Sequence, residues 1–578
     1  MSPEPQTSPS LDPPAGGERP LGAGINWEDP NSPLALLYMT SGGVAAVVVL
    51  GLAFLLLSVG PLWHTDFWVH LKYGEWIASH HTLPDRESLS PFMDKDAPFF
   101  DPQWLSQLGY QALFRVGASL AGGDDRSRLE GGVEVIRLAH LCTAIATVGL
   151  LGLAYRRASG SAGWAVGAMV MVIVLMLSSF AVQRPQALAL ICFAAILCGL
   201  SRPIPTRRAV VWIPLACALW VNLHGSFPVG LGLVGAALVG RVAQVVWAAG
   251  YSAVRRDAAT RRLGLMLLLC LAATVINPYG PSVYPRLATF ATHPNLRTMI
   301  EWQPMDFGSL RGGQWVYLAT AALVIITPLA TRRMYSPTQL VVIVAFAVWP
   351  LFHQRALNWW LPLVPWAVTP LWATANWRSQ PTALASGASF RKTAIAAVLV
   401  AFVAVVSPAS GWIKSGRPRP LSASLHRGTP NDIAAVLAGR PAVDETRVVG
   451  LARVVKEWYG GRLTGAVFAS ETQGEYLLWA LPPDTPVMMC NHAQAYRPDY
   501  WNACLAIKRA APGWAEALAE NRVGVVVVET DFHPDLCAAL RNQREWRVVV
   551  DETGVPARDP YARLFVAVRV PQANAGTE

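Results

Sequence analysis

Long apolar runs separated by short polar loops make up most of this chain. About 20 apolar residues suffice for a helix to cross the hydrocarbon core of a bilayer. Hydropathy predicts eleven such segments, near residues 34–60, 134–155, 163–181, 184–201, 208–223, 227–249, 263–277, 314–331, 336–352, 355–375 and 393–410. The pattern predicts a mainly α fold, a polytopic membrane helical bundle over residues 34–412. Two regions break the rhythm. The loop at 61–133 is long, and the chain beyond 412 changes character altogether.

Within the long loop, Asp66 to His80 contains Phe67, Trp68, Leu71, Trp76 and Ile77 and no proline. It predicts a helix lying along the membrane interface. Asp66, His70, Tyr73 and Ile77 share one face of it, because residues three or four apart are neighbours. Gln103 to Val116 predicts a second helix, and Leu83 to Pro102 an irregular connection.

Residues 413–425 read as a basic, proline-containing linker, and 426–578 as one α/β domain. Strands are expected at Val467-Phe468, Val487–Met489, Val523–Val528, Val548–Val550 and Leu564–Val570. Helices are expected at Tyr500–Arg509, Trp514–Glu520 and Pro534–Arg544. Such alternation predicts a small layered domain. No glycine-rich phosphate loop accompanies it. Residues 1–33 are rich in Pro, Gly, Ser and acids and read as a disordered tail. They lack the basic start of a signal peptide, so the first apolar helix is expected to act as the insertion signal.

Charge sets the expected orientation. One set of loops carries Arg156, Arg157, Arg202, Arg207, Arg208, Arg255, Arg256, Arg261, Arg262, Arg332, Arg333, Arg378, Arg391 and Lys392. The opposite short loops carry Arg184, Arg286, Arg297, Arg311 and Arg355. The positive-inside rule places the first set, with the N-terminus, in the cytoplasm. The long loop and the C-terminal domain then lie outside, and the expected location is a bacterial inner membrane. The net charge of +10 sits in these loops. No basic stripe with interleaved aromatics marks a nucleic-acid surface.

The polar residues at helix ends are sorted too. The outer face receives Asp66, His70, Asp85 and Asp101, then Arg184 and Gln186, Asn222 and His224, Asn277, Glu301, and His353 with Arg355. Ionisable groups at membrane depth are costly and usually face a cavity, so the asymmetry predicts one outward-facing cavity. Asp66 could act there as a general base, or be an ordinary helix N-cap. Asp66 and His70 together could hold a divalent ion, Mg or Mn, although His suits transition metals better. Asp85 and Asp101 sit in ordinary turn signals and gain weight only by sharing the loop. Arg184, His224 and Arg355 suit a phosphate or simply snorkel. Glu301 could orient a sugar hydroxyl or pair with Arg297.

Cys142, Cys192, Cys198, Cys217 and Cys270 fall in apolar segments and read as small core residues. Cys490, Cys504 and Cys537 lie in the C-terminal domain without a Cys-x-x-Cys pair, which leaves room for one bridge but no zinc knuckle.

These motifs, taken together, resemble the GT-C superfamily of integral membrane glycosyltransferases, which use polyprenyl-phosphate-linked sugars. The resemblance is carried by Asp66-Phe67-Trp68-Val69-His70-Leu71 with Gly74 and Ile77, Pro84-Asp85 with Ser88, and Trp104-Leu105. It continues through Arg184-Pro185-Gln186, Trp220-Val221-Asn222-Leu223-His224-Gly225, Asn277-Pro278-Tyr279-Gly280, Glu301-Trp302 and Gly474-Glu475-Tyr476-Leu477-Leu478-Trp479. It implies a first-loop Asp as base, which maps onto Asp66. Thr65 stands where many members carry a second acid, so that acid is expected from elsewhere, with Asp85 the candidate. The implied reaction transfers a sugar from a polyprenyl phosphate to an unknown glycan, lipid or protein acceptor. His70, Asp101, Arg184, Gln186, Asn222, His224, Glu301 and Arg355 would bind substrate. A transporter or flippase of lipid-linked saccharides would use the same cavity as a route, but the chain shows few mid-span charges and no internal repeat. A non-catalytic assembly protein is the third reading.

Overall fold

The computed structural model describes residues 35, 37–62, 66–87, 89–308, 310, 312–375, 387–557 and 559–571. The expected tail at 1–33 and Trp63, His64, Thr65, Ser88, Arg311 and Arg378 lie outside the described residues. The molecule is mainly helical with a small C-terminal sheet.

Each predicted apolar segment contains a helix. Four helices are long and apolar enough to cross a membrane: α1 (Ser41–Val59), α4 (Asp125–Ser159), Pro228–Ala249 and Gly313–Thr331. A fifth joins them if Phe390–Val406 and Pro408–Ser415, bent by 66°, count as one span. Four further apolar helices, among them Gln186–Leu200 and Ala209–Leu223, are shorter. Leu52, Leu56, Ile325, Leu329 and Val398 are all exposed. Outward-facing apolar side chains on such helices suit contact with lipid tails, where only a helix satisfies its own backbone.

The loop after α1 forms α2 (Phe67–His80) and α3 (Trp104–Ala121). The second runs five residues past its expected end at Val116, until Gly122 takes a positive φ of 60°. Helix α4 starts well before the predicted span because the Asp124 carboxylate accepts the Ser127 N–H at 2.8 Å, an N-cap that the hydropathy pattern hides. Helices α2 and α3 touch backbone to backbone. A Cβ on Gly74 would run into the carbonyl of Gln107.

The C-terminal sheet has the order β1-β2-β4-β3, with β1 at Ala466–Ala469, β2 at Val523–Glu529, β3 at Trp546–Asp551 and β4 at Leu564–Arg569. Strands β1 and β2 are parallel; the other neighbours are antiparallel. The unbroken apolar run of β2 is buried on both faces, as expected of a central strand covered by helices. The expected strand at Val487–Met489 is only a single bridge from Val487 to Val467. Proline precedes it and the chain turns away into the site described below. Helices at Glu445–Tyr459 and Glu471–Ala480 were not evident from periodicity.

This domain is clamped onto the first loop. Trp68 of α2 is fully buried, with ring centroids 4.6 Å from Trp479 and 4.8 Å from Tyr476. The Ser90 hydroxyl donates to Val487 O at 2.9 Å, and the Asp94 N–H to Ala495 O at 2.7 Å. In the linker, Arg419 reaches back to the buried Glu134 carboxylate of α4 at 2.9 Å. No disulfide forms among the described cysteines: Cys490, Cys504 and Cys537 are buried and free. Cys142 is exposed rather than core, because it projects from α4 away from its neighbours.

Gly74→Ala forces α2 and α3 apart. Overpacking of this kind costs about 1–3 kcal/mol. Thermal unfolding of detergent-purified protein is expected at a lower temperature than wild type, with an unchanged melting point counting against the close contact.

Candidate functional site

One cavity of about 390 Å³ lies where α2, the residues before Gln186–Leu200, the 224–228 turn, the 287–302 segment and the 353–355 turn meet the C-terminal domain. Asp66, His70, Arg184, Gln186, His224, Glu301 and Arg355 all line it. Seven of the ten residues expected at the site therefore converge. Phe290, Met299, Trp302, Trp349 and Trp359 supply an apolar wall, and Asn491, His492 and Gln494 close it from the C-terminal domain.

Asp66 occupies the N-cap position of α2 but does not cap it. Its backbone is left-handed, φ 65°, and its side chain accepts no helix N–H. The carboxylate faces Arg184 instead, with Oδ2 3.4 Å from Nε. The cap comes from elsewhere in the chain: Glu475 Oε2 accepts the Val69 N–H at 3.3 Å. An acid at a helix N-terminus is favoured by the exposed N–H groups and the helix dipole. Glu475 is fully buried, and its other oxygen accepts the Asn491 N–H at 2.9 Å. The cap and base readings of Asp66 thus separate physically. Positive-φ residues other than glycine carry strain and concentrate at functional sites.

Arg184 links the two acids of the cavity, donating to Glu301 at 2.9 Å as well as facing Asp66. Arg355 completes the chain, 3.6 Å from Glu301 and stacked over the Trp302 ring at 4.6 Å. Glu301 thus pairs with Arg184 and Arg355 in place of its sequence neighbour Arg297. Burial works to raise the Glu301 pKa, but Arg355 and Arg184 hold it down at about 2. It is a permanent anion at neutral pH.

The histidines are neutral donors. His70 Nδ1 lies 2.9 Å from the Gln107 amide nitrogen, which also donates to Asp101. That amide fixes the tautomer, leaving the proton on Nε2. Burial, then the nearby His492, push the His70 pKa well down. Its occupied Nδ1 makes His70 a poor metal ligand and a good donor. His224 Nδ1 accepts the Ser226 N–H at 3.0 Å, and burial with Arg355 lowers its pKa to about 3.

Three expected residues stand outside the cavity wall. Asp101 is buried behind it, accepting the Gln103 N–H at 2.8 Å and holding Gln107 against His70. Asn222 is a joint: it accepts from Trp104 Nε1 at 2.9 Å and donates to Ile276 O at 2.8 Å. Asp85 is exposed, and the structure does not bring it to Asp66; its carbonyl accepts the Phe99 N–H. Glu301 is the acid that shares the cavity with Asp66. Sequence reading missed Glu475, Asn491 and His492. The only signal was Gly474-Glu475, which packs where a Cβ on Gly474 would strike the Met489 carbonyl.

Two consequences can be measured. Glu475→Ala leaves the Val69 and Asn491 N–H groups buried without an acceptor, at about 1–3 kcal/mol. Hydrogen exchange is expected to quicken in the first turn of α2; unchanged protection there would refute the cap. Glu301 has a folded pKa near 2, below its ordinary 4.5. Its contribution to stability is complete above pH 4.5 and drains away as pH falls toward 2. Glu301→Gln is expected to remove that part of the acid sensitivity of thermal unfolding, so an acid limb identical to wild type would contradict the pairing.

No protein-family model matches the chain, and no curated protein does. Among solved structures it is similar to the Archaeoglobus fulgidus oligosaccharyltransferase tethered with an acceptor peptide containing the NVT sequon, at 12% identity and TM-score 0.49, over 84% of this chain and 69% of that one. It is also similar to ArnT from Cupriavidus metallidurans bound to undecaprenyl phosphate, at 17% identity and TM-score 0.46, over 94% and 100%. The apo form of that ArnT gives 18% and 0.45, over 91% and 98%. These are the GT-C neighbours that the motif resemblance implies, at a likeness too low to carry an argument about chemistry, which rests on the cavity itself.

Proposed function

We propose that the protein is an inverting membrane glycosyltransferase. It moves a sugar from a polyprenyl phosphate to an acceptor hydroxyl in an outward-facing cavity. The observation that carries this reading is the convergence, from five separate segments, of one uncapped carboxylate, two guanidinium groups, two neutral histidines and an aromatic wall. Helices with exposed apolar faces frame it, so a lipid tail can remain in the bilayer while its headgroup enters.

The division of labour follows from the geometry. Asp66 takes the proton of the acceptor hydroxyl, and the hydroxyl oxygen attacks the anomeric carbon. The bond from that carbon to the phosphate oxygen breaks on the opposite face, and the phosphate departs with the electron pair. Arg355, Arg184 and the Nε2–H groups of His70 and His224 meet the growing charge. A guanidinium carries five donors in a fixed fork, and at 3.6 Å from Glu301 Arg355 forms an ion pair without a short hydrogen bond. Such preset donors usually supply the largest part of the rate enhancement. Glu301 holds both arginines and leaves Asp66 as the group able to accept a proton. Asp101 acts through Gln107 as a positioning residue. We place all eleven apolar segments in the membrane, the C-terminal domain outside and the N-terminus in the cytoplasm.

The test is transfer from a synthetic polyprenyl-phosphate sugar by purified protein, with lipid-linked sugars from a deletion strain identifying donor and acceptor. Loss of a general base costs about 10²–10⁴ in rate. Asp66→Asn is expected to lose that much activity with its melting temperature within a few degrees of wild type. Arg355→Ala is expected to weaken donor binding. Full activity in Asp66→Asn would remove the base assignment.

A further inference from the structure

Glu475, Cys490 and His492 place a carboxylate oxygen, a sulfur and a ring nitrogen within 4.8 Å of one another. Glu475 comes from the helix Glu471–Ala480, the other two from the extended segment after the Val467–Val487 bridge. Gly474 lets these pieces touch, since any Cβ there would meet the Met489 carbonyl. Glu475 and Cys490 are fully buried, while His492 lines the cavity and sets its ring centroid 5.0 Å from that of His70.

The spacing is that of ligands around an ion rather than of hydrogen-bonded partners. His492 Nδ1 stands 3.6 Å from Glu475 Oε1 and has no hydrogen-bond partner, although it is buried. Buried polar atoms almost always find a partner. Around a tetrahedral zinc ion, with bonds of about 2.0–2.3 Å, neighbouring donor atoms lie roughly 3.3–3.6 Å apart. The surroundings also fit. The Asn491 and Val69 N–H groups orient the carboxylate, and the Tyr496 hydroxyl donates to Cys490 Sγ at 3.4 Å. Outer hydrogen bonds of this kind aim metal ligands and tune their strength.

We propose that Glu475, Cys490 and His492 form a binding site for a zinc-class cation, whose fourth position opens toward the cavity. A mixed sulfur, nitrogen and oxygen set is too soft for Mg and suits zinc. Three protein ligands with an open fourth side leave room for water or an oxygen of the cavity's occupant. Binding displaces the Cys490 thiol proton, which leaves to solvent. This site is distinct from an ion held by Asp66 and His70, and it stands whether or not the cavity transfers sugar.

Full-length protein in detergent, stripped with chelator and titrated with Co²⁺ and then Zn²⁺, tests it. The expected result is saturation at about one ion per chain, with a near-ultraviolet thiolate-to-cobalt band that Zn²⁺ abolishes. Cys490→Ser is expected to lose the band, and His492→Gln to weaken binding by at least about tenfold. Asp66→Asn is expected to retain both. Wild-type protein that takes up no stoichiometric ion overturns the proposal without any variant, so a variant that fails to fold does not rescue it. So does a band that survives in folded Cys490→Ser, since Cys504 and Cys537 would then supply the sulfur.

Discussion

The cavity depends on how α2 begins. A helix start leaves N–H groups that something must accept, and the residue in the N-cap position usually does so. Here that residue is Asp66, and it is turned outward in a left-handed conformation. Glu475, more than four hundred residues later, accepts the Val69 N–H in its place. One hydrogen bond thereby couples the C-terminal domain to the orientation of the carboxylate that faces Arg184. The C-terminal domain is part of the site: its His492, Asn491 and Gln494 form one wall, and its Trp479 and Tyr476 bury Trp68.

Charge balance shapes the rest. Asp66 and Glu301 are matched by Arg184 and Arg355, and the two cavity histidines are held neutral by burial. A balanced cluster can be buried at tolerable cost, whereas an unpaired buried charge cannot. An entering phosphate would exchange partners with Glu301 or Asp66, and the arginines would keep their charges satisfied throughout. The aromatic wall and the stacked Trp302 keep Arg355 in place during that exchange.

Much of this was legible in the sequence because the physics is local. Apolar runs give helices, and arginine-bearing loops sort the helix ends; that sorting alone brought Asp66, Arg184, His224, Glu301 and Arg355 to one side. Helix α2 was visible from its unbroken, proline-free pattern. What stayed hidden is non-local. Nothing near Asp66 in the chain reveals that Glu475 caps its helix, so the cap reading and the base reading looked compatible until the backbone separated them. Asp85 looked equivalent to Asp101 as a turn acid, yet one is exposed and the other is buried behind His70. The strand expected at Val487–Met489 failed for the same reason: its apolar residues serve a close approach to Gly474 rather than a ladder.

The central claim is that the Asp66–Arg184–Glu301–Arg355 cluster receives a lipid phosphate at the mouth of the cavity. The most direct measurement is a cryo-EM structure of the full-length protein in lipid nanodiscs with a short-chain polyprenyl phosphate. The account predicts phosphate oxygens within hydrogen-bond reach of Arg355 or Arg184, with the lipid tail leaving between the apolar helices. A headgroup bound away from both arginines, with the cavity open and the lipid held elsewhere on the protein, would contradict it.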